Sequence, residues 1–354
     1  MVVGGGLTGL CAALLAAEEG KRVLLLEGER VAFGASGRNG GFCAASLTHG
    51  IAHGLARWPR EMETLERMAC ENLDAIRATV ARHAIDCGWE DSGTIDVATE
   101  PHQVAWLADA AAQWRRFGWH AELLDAEAVR AQVDSPTYRG GVWARDAAAL
   151  VDPARLCWGL ARAAEGAGAS VFEGSPVTAL RPDGAGVRAE TAGGSVRARR
   201  ALLATSAFPP LVRAIRRYVS FELLAEHFFA TFPQLAGLRF THRWGGAIDT
   251  CSRFSALWAS ALDGRATYVV GFTGLGVGAS RFGARVGLDL LDGLDTERTP
   301  LEMVRRRPLP FPPEPARWAA IRLTQRALAR ADERAGRRGP LLRTLDRLGL
   351  GFDS

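Results

Sequence analysis

Met1-Val2-Val3-Gly4-Gly5-Gly6-Leu7-Thr8-Gly9 sets a short apolar run against a G-x-G-x-x-G turn, and Glu27 follows a second apolar run over 23–26. In a chain with 40 glycines such a turn means little by itself, so its surroundings decide the reading. Helical periodicity over 10–19 follows it, and the whole reads as strand, turn, helix, strand. Gly4 permits the tight turn, Gly6 lets backbone approach a pyrophosphate, and Gly9 lets the helix pack on the strand. Free N–H groups at the helix start, at Leu7 and Thr8, carry roughly half a positive charge toward phosphates. Glu27 can accept both hydroxyls of a ribose, which argues against a 2′-phosphate. These features predict an α/β fold with a Rossmann-like dinucleotide-binding domain.

The choice between dinucleotides rests on the segment after the second strand, Phe33-Gly34-Ala35-Ser36-Gly37-Arg38-Asn39-Gly40-Gly41. A flexible loop with Ser, Arg and Asn donors can wrap a pyrophosphate and a flavin ring. The segment resembles the FAD-dependent D-amino-acid oxidase/glycine oxidase family, and within it the γ-glutamylputrescine oxidase branch, whose members carry G-A-S-G-R-N-G-G. The resemblance implies that Ser36, Gly37, Arg38, Asn39, Gly40 and Gly41 lie against the flavin.

Later segments match the same family in order. Ser175-Pro176-Val177 resembles the strand whose backbone holds the adenine, which implicates Val177. Ala204-Thr205-Ser206-Ala207 resembles the turn beside the cofactor. Gly271-Phe272-Thr273-Gly274-Leu275-Gly276-Val277 resembles the C-terminal flavin motif. There a helix N-terminus meets the ring's N1–C2=O edge and stabilises negative charge on the reduced ring. Trp244-Gly245-Gly246 and Asp249-Thr250 resemble a flavin-adjacent segment. The likeness continues through Pro315-Ala316-Arg317-Trp318 to the terminal Gly349-Leu350-Gly351-Phe352-Asp353-Ser354. Among these residues Arg38, Asn39 and Trp244 are expected nearest the ring, and no catalytic residue is named.

The expected partition is a discontinuous FAD domain (1–85, 140–215 and 262–300), a reduced α+β substrate domain (86–139 and 216–261) and a Pro/Arg-rich helical tail (301–354). Helices are expected over 58–85, from Pro101, over 125–132, over 154–165 behind an Asp152-Pro153 cap, over 222–232, 280–291 and 317–334. Strands are expected over 94–99, 140–143, 170–173, 177–180, 186–191, 195–205 and 267–271.

Two departures from the family stand out. Only Met1 to Val3 precede Gly4, where a central strand usually has ~5–6 residues, so a start upstream of Met1 is expected. The second departure is internal. Arg213-Ala214-Ile215-Arg216-Arg217-Tyr218-Val219-Ser220 joins Phe221-Glu222-Leu223 directly, where relatives interpose several dozen residues of substrate-domain sheet. The segment missing there supplies the strands and side chains that hold the substrate.

Composition excludes several other classes. The net charge of +4 is almost all arginine, Lys21 being the only lysine, and its excess sits in the tail. No nucleic-acid motif accompanies it, so no nucleic-acid partner is expected. The six cysteines and the histidines His49, His53, His227 and His242 show no metal-ligand spacing, and no metal is expected. Cys43 follows the flavin loop but reads as a buried neutral thiol rather than a covalent flavin link. No apolar run is long enough to span a bilayer, and a reducing cytoplasmic setting is expected.

The family-implied activity is FAD-dependent oxidation of an amine or amino acid, with O2 or another electron acceptor. A flavin-binding relic without catalysis and a nicotinamide dehydrogenase are the alternatives. The second would share the first turn but would not need the loop at 36–41.

Overall fold

The computed structural model describes residues 1–206, 221–242 and 244–348, with backbone alone for 221–223. Ala207, the 213–220 segment before the inferred deletion and the terminal match over 349–354 lie outside the described residues. The chain starts β1 (Val2–Val3), α1 (Leu7–Glu18), β2 (Leu24–Leu26), β3 (Phe42–Ala44), α2 (Ile51–Arg57) and α3 (Met62–Arg82). It continues β4 (Thr94–Ala98), α4 (Pro101–Arg116), β5 (Ala121–Leu124), α5 (Ala126–Gln132), β6 (Gly140–Ala144), β7 (Ala148–Leu150) and α6 (Pro153–Gly166). Then come β8 (Ser170–Phe172), β9 (Ala179–Asp183), β10 (Gly186–Thr191), β11 (Gly194–Ala198) and β12 (Ala201–Leu203). A Phe221–Thr231 helix, β13 (Leu257–Ala261), β14 (Ala266–Val270) and a Gly276–Asp292 helix follow, before the helical tail.

The principal sheet has the order β13-β14-β12-β1-β2-β8, parallel throughout except for β13. β1 lies inside it, with Val2 opposite both Leu25 and Leu202. Val2, Val3, Leu25 and Leu202 are all buried, as a parallel sheet covered on both faces requires. Hydrogen bonds run past the two-residue strand on either side: Leu202 N–H donates to Met1 O (3.0 Å), Gly4 N–H to Leu26 O (2.8 Å) and Ala204 N–H to Val3 O (2.8 Å). α1 is apolar on nearly every side because it packs against the sheet, α6 and the Gly276–Asp292 helix.

Local chemistry sets many boundaries as expected. Glu100 and Gln103 form a capping box at α4, the Asp125 carboxylate accepts Ala128 N–H, and the Asp152 carboxylate accepts the N–H groups of Ala154 and Arg155. Elsewhere the structure corrects the sequence reading. The helix expected over 58–85 begins at Met62, with α2 standing apart, because Trp58 precedes Pro59 and takes a non-helical conformation (φ −130°). The helix after the C-terminal glycine motif begins at Gly276 rather than Ser280. The strand expected over 195–205 is two strands: β11 leaves its antiparallel partner β10 at Ala198, and β12 then joins the parallel sheet. Val177 lies before β9 rather than in a strand, since regular pairing with β10 starts at Ala179.

Two strands pair across the bounds of the expected partition. β6, placed with the FAD segments, pairs with β4 and β5 of the 86–139 segment. β13, placed with the substrate segments, pairs with β14 in the principal sheet. Partner choice is not written in a strand's own residues.

On α3, Glu66 is buried (4% exposed) and accepts a hydrogen bond from Trp119 Nε1 (2.8 Å). Burial pushes its carboxyl up from 4.5 to about 7, against the smaller lowering effect of the indole bond. An acid with a raised folded-state pKa keeps its proton in the native state after the unfolded chain has lost it. Stability should therefore fall as pH rises from 4.5 to about 7 and then level off, a loss of about 3 kcal/mol from this group. Thermal melts of Glu66→Gln across that window should lack this decline. A Gln variant whose pH dependence matches that of the parent protein would remove Glu66 as its source.

Candidate cofactor and active site

Gly4 ends β1 with φ 108°, and a Cβ there would lie 2.4 Å from the Ala204 carbonyl oxygen. The ends of β1 and β12 therefore touch, which puts Ala204 and Thr205 beside the first glycine turn. A Cβ at Gly9 would lie 1.9 Å from Gly4 O, so α1 can start at this turn only without a side chain at that position. Ser36 closes over the turn, with its hydroxyl accepting Leu7 N–H (3.0 Å) and lying close to Gly6. Glu27 receives Gly5 N–H on Oε2 (2.5 Å) and Glu29 N–H on Oε1 (2.9 Å), which fixes the carboxylate at the end of β2. The loop carrying Val177 passes the same spot: Ser175 N–H donates to Glu27 O (2.7 Å), and Pro176 lies against Gly28.

The two other glycine segments reach the same end of the sheet. Gly271 (φ 80°) and Gly274 (φ 95°) turn the chain from β14 into the Gly276–Asp292 helix, and Leu275 is its N-cap residue. Neither N-cap residue, Gly6 for α1 or Leu275 for the second helix, caps its helix with a side chain. Gly276 is half-buried and Val277 packs into the core. Thr8 Oγ1 donates to Ser280 Oγ (3.1 Å, buried), tying the first turns of the two helices together. Two helix N-termini at the C-terminal edge of one parallel sheet make a crevice suited to an anionic dinucleotide.

The 33–41 loop folds on its own side chains. Asn39 Nδ2 donates to Ala35 O (3.0 Å) and Ser36 O (2.9 Å), and its Oδ1 accepts Gly41 N–H (2.8 Å). Gly37 lies against Ala32, Gly40 against Phe42, and Gly41 (φ 76°) against Val151 O. Arg38 Nε donates to Phe33 O (2.7 Å), and its guanidinium lies 4.6 Å from the Phe33 ring centroid. Trp244 Nε1 donates to Arg38 O (3.2 Å), although 63% of the residue is exposed. The structure thus brings Arg38, Asn39 and Trp244 together, but much of their polar capacity goes to shaping the loop. Gly245 is exposed, whereas Gly246 approaches Arg38 and Ala35.

Several polar contacts that the sequence did not show support these turns. Asp249 holds the flavin-type turn, accepting Gly271 N–H on Oδ2 (2.5 Å) and Thr273 N–H on its carbonyl (3.1 Å). His49 Nε2 bonds Thr273 O (2.7 Å), and Asn72 Nδ2 donates to Gly278 O (2.7 Å). A polar residue on an apolar helical face, as Asn72 is on α3, is the signal that would have found one of them. Cys43 is fully buried on β3 and burial pushes its thiol up to about 12, so the thiolate needed for a covalent link is suppressed. All six cysteines are free, and no cluster of three metal-ligating side chains occurs among the described residues.

With this geometry in place, likeness to known proteins gives the cofactor. Residues 1–220 match the DAO family, described as FAD dependent oxidoreductase. The chain is 30% identical to γ-glutamylputrescine oxidoreductase of Escherichia coli K12, covering 84% of each protein. That alignment runs over 365 positions, whereas 84% of 354 residues is about 297, so roughly 68 positions face no residue of this chain. In fold it resembles glycine oxidase from Geobacillus kaustophilus (TM-score 0.68, 17% identity, 86% of this chain and 98% of that one). L-proline dehydrogenase from P. horikoshii is similar in fold (TM-score 0.67, 16% identity, 85% and 94% covered). The glycine cradle, the ribose-type acid and the paired helix N-termini fit FAD, and the chain belongs to the DAO family of FAD-dependent oxidoreductases.

Proposed function

We propose that the chain oxidises the carbon–nitrogen bond of a small amine or amino acid, as the name of its E. coli relative implies for that enzyme. The observation that carries this reading is the meeting of three sequence-distant glycine segments, 4–9, 36–41 and 271–277, at one edge of one parallel sheet. Gly4, Gly6, Leu7, Thr8 and Gly9 hold the pyrophosphate of FAD, Glu27 its ribose, and the backbone at Val177 its adenine. Ser36, Gly37, Arg38, Asn39, Gly40 and Gly41 line the flavin with Ala204, Thr205 and Gly245. Gly271, Gly274, Leu275, Gly276 and Val277 offer a helix N-terminus to its carbonyl edge, where negative charge develops.

When bound, FAD supplies a two-electron acceptor for the hydride leaving the carbon beside nitrogen. The protein's part is to orient the amine and to stabilise charge. The imine then hydrolyses in water, and O2 or another acceptor receives the electrons. Cofactor binding is assigned to the principal sheet and its helices, substrate binding to the 86–139 and 221–256 segments. Six unpaired thiols favour a reducing cytoplasmic setting. The nicotinamide alternative has no support beyond the first turn.

The protein should purify yellow, with FAD identified by mass spectrometry after release. Glu27→Ala should weaken FAD binding roughly 10–100-fold, the loss of one charge-assisted bond of ~1.5–3 kcal/mol. A colourless protein that FAD cannot reconstitute would overturn the reading.

A further inference from the structure

Arginine is distributed unevenly in this chain. From Arg298 onward there are thirteen Arg against six Asp/Glu, while the rest is acidic overall. We propose that the Ala316–Asp332 helix docks the protein on the surface of an anionic phospholipid bilayer through the face bearing Trp318, Arg322, Arg326 and Arg330.

Those four residues recur at every fourth position and so share one helical face. All four are exposed, whereas Thr324, Ala327, Leu328 and Ala331, on the opposite side, are partly or fully buried. The cationic row therefore points away from the body. Four other tail arginines are ion-paired: Arg298 with Asp289, Arg306 with Glu302, Arg317 with Glu314 and Arg338 with Asp346. Among the described residues Arg322 reaches only the Gln325 amide (3.4 Å) and the Trp318 ring (5.8 Å), and no carboxylate pairs with Arg326 or Arg330.

Apolar side chains bracket this row. Trp318 (57% exposed), Ile321 (44%) and Leu323 (56%) present large apolar surface beside the arginines. Guanidinium groups meet lipid phosphates while Trp and aliphatic side chains enter the acyl boundary, the combination that an interfacial helix uses. A nucleic acid would answer the charge but leave the aliphatic groups in water, so lipid is the better occupant. No helix among the described residues is long and apolar enough to cross a membrane, so the attachment is to the surface.

The test is sedimentation of the FAD-loaded protein with phosphatidylglycerol vesicles and with phosphatidylcholine vesicles. Binding is expected to phosphatidylglycerol alone and should weaken with added salt. Each basic residue at an anionic surface contributes roughly fivefold in partitioning, so changing Arg322, Arg326 and Arg330 together to Ala should reduce it about 100-fold. FAD content and visible spectrum should be unchanged in that variant, and replacement of the same three by Lys should restore binding. Equal sedimentation with both vesicles, no binding to phosphatidylglycerol by the parent protein, or displacement from vesicles by duplex DNA or transfer RNA would overturn the proposal.

Discussion

Replacing Gly9 by alanine should remove FAD from the purified protein. The added methyl would sit 1.9 Å from Gly4 O, less than any real non-bonded contact, and the atom it meets is backbone rather than a movable side-chain tip. Relief requires either α1 to slide away from β1 or the turn itself to open. Neither is easy, since Leu10, Ala12, Ala13 and Leu14 are almost fully buried and Gly4 N–H is bonded to Leu26 O. Overpacking a buried contact costs about 1–3 kcal/mol, and here the displaced groups are the ones we assign to the pyrophosphate. We expect at least a 100-fold loss of FAD affinity, about 3 kcal/mol, measured by flavin fluorescence titration of the apoprotein. Gly34→Ala is the control, because a Cβ there meets nothing within 4 Å and the backbone is extended. A Gly9→Ala protein that retains stoichiometric FAD would show that the turn does not grip the cofactor as described.

Much of this site was legible because its physics is local. A glycine that must accept a carbonyl at its α-carbon, an acid at a strand end and a proline after a capping aspartate each leave a fixed mark in sequence. Gly4, Glu27 and the Asp152 cap are of that kind. What escaped was non-local. Nothing in the residues of β6 tells that its partners are β4 and β5 rather than strands of the principal sheet, since an apolar run suits either. The Thr8–Ser280 and Asp249–Gly271 contacts join segments 272 and 22 residues apart, and either partner alone reads as an ordinary polar residue. Asn39 shows a third limit. Its loop was recognised, yet the structure turns the amide inward to hold Ala35, Ser36 and Gly41, a use that residue type alone cannot distinguish from facing a ligand.

Turnover should prove far more impaired than cofactor binding when the protein is compared with its E. coli relative. The groups we assign to FAD come from the ends of β1, β2, β12 and β14, all formed here and tied by hydrogen bonds. The family match ends at residue 220, and we place the roughly 68 unmatched alignment positions at that junction. The segment after it bears the mark of lost cover. Phe228, Phe229, Phe232 and Phe240 meet in edge-on and tilted ring contacts, while Leu224, Leu238, Trp244 and Ile248 stand 49–63% exposed. So much exposed apolar surface on one segment predicts self-association. Orientation of the reacting atoms can contribute ~7–11 kcal/mol to lowering a barrier. Losing about 4 kcal/mol of it slows flavin reduction roughly 1000-fold, while FAD affinity stays within about tenfold. Anaerobic flavin reduction by sarcosine, glycine and γ-glutamylated polyamines, followed in both proteins under the same conditions, separates the two effects. Equal reduction rates would mean that the missing segment is dispensable and that the residues present suffice to hold an amine against the flavin.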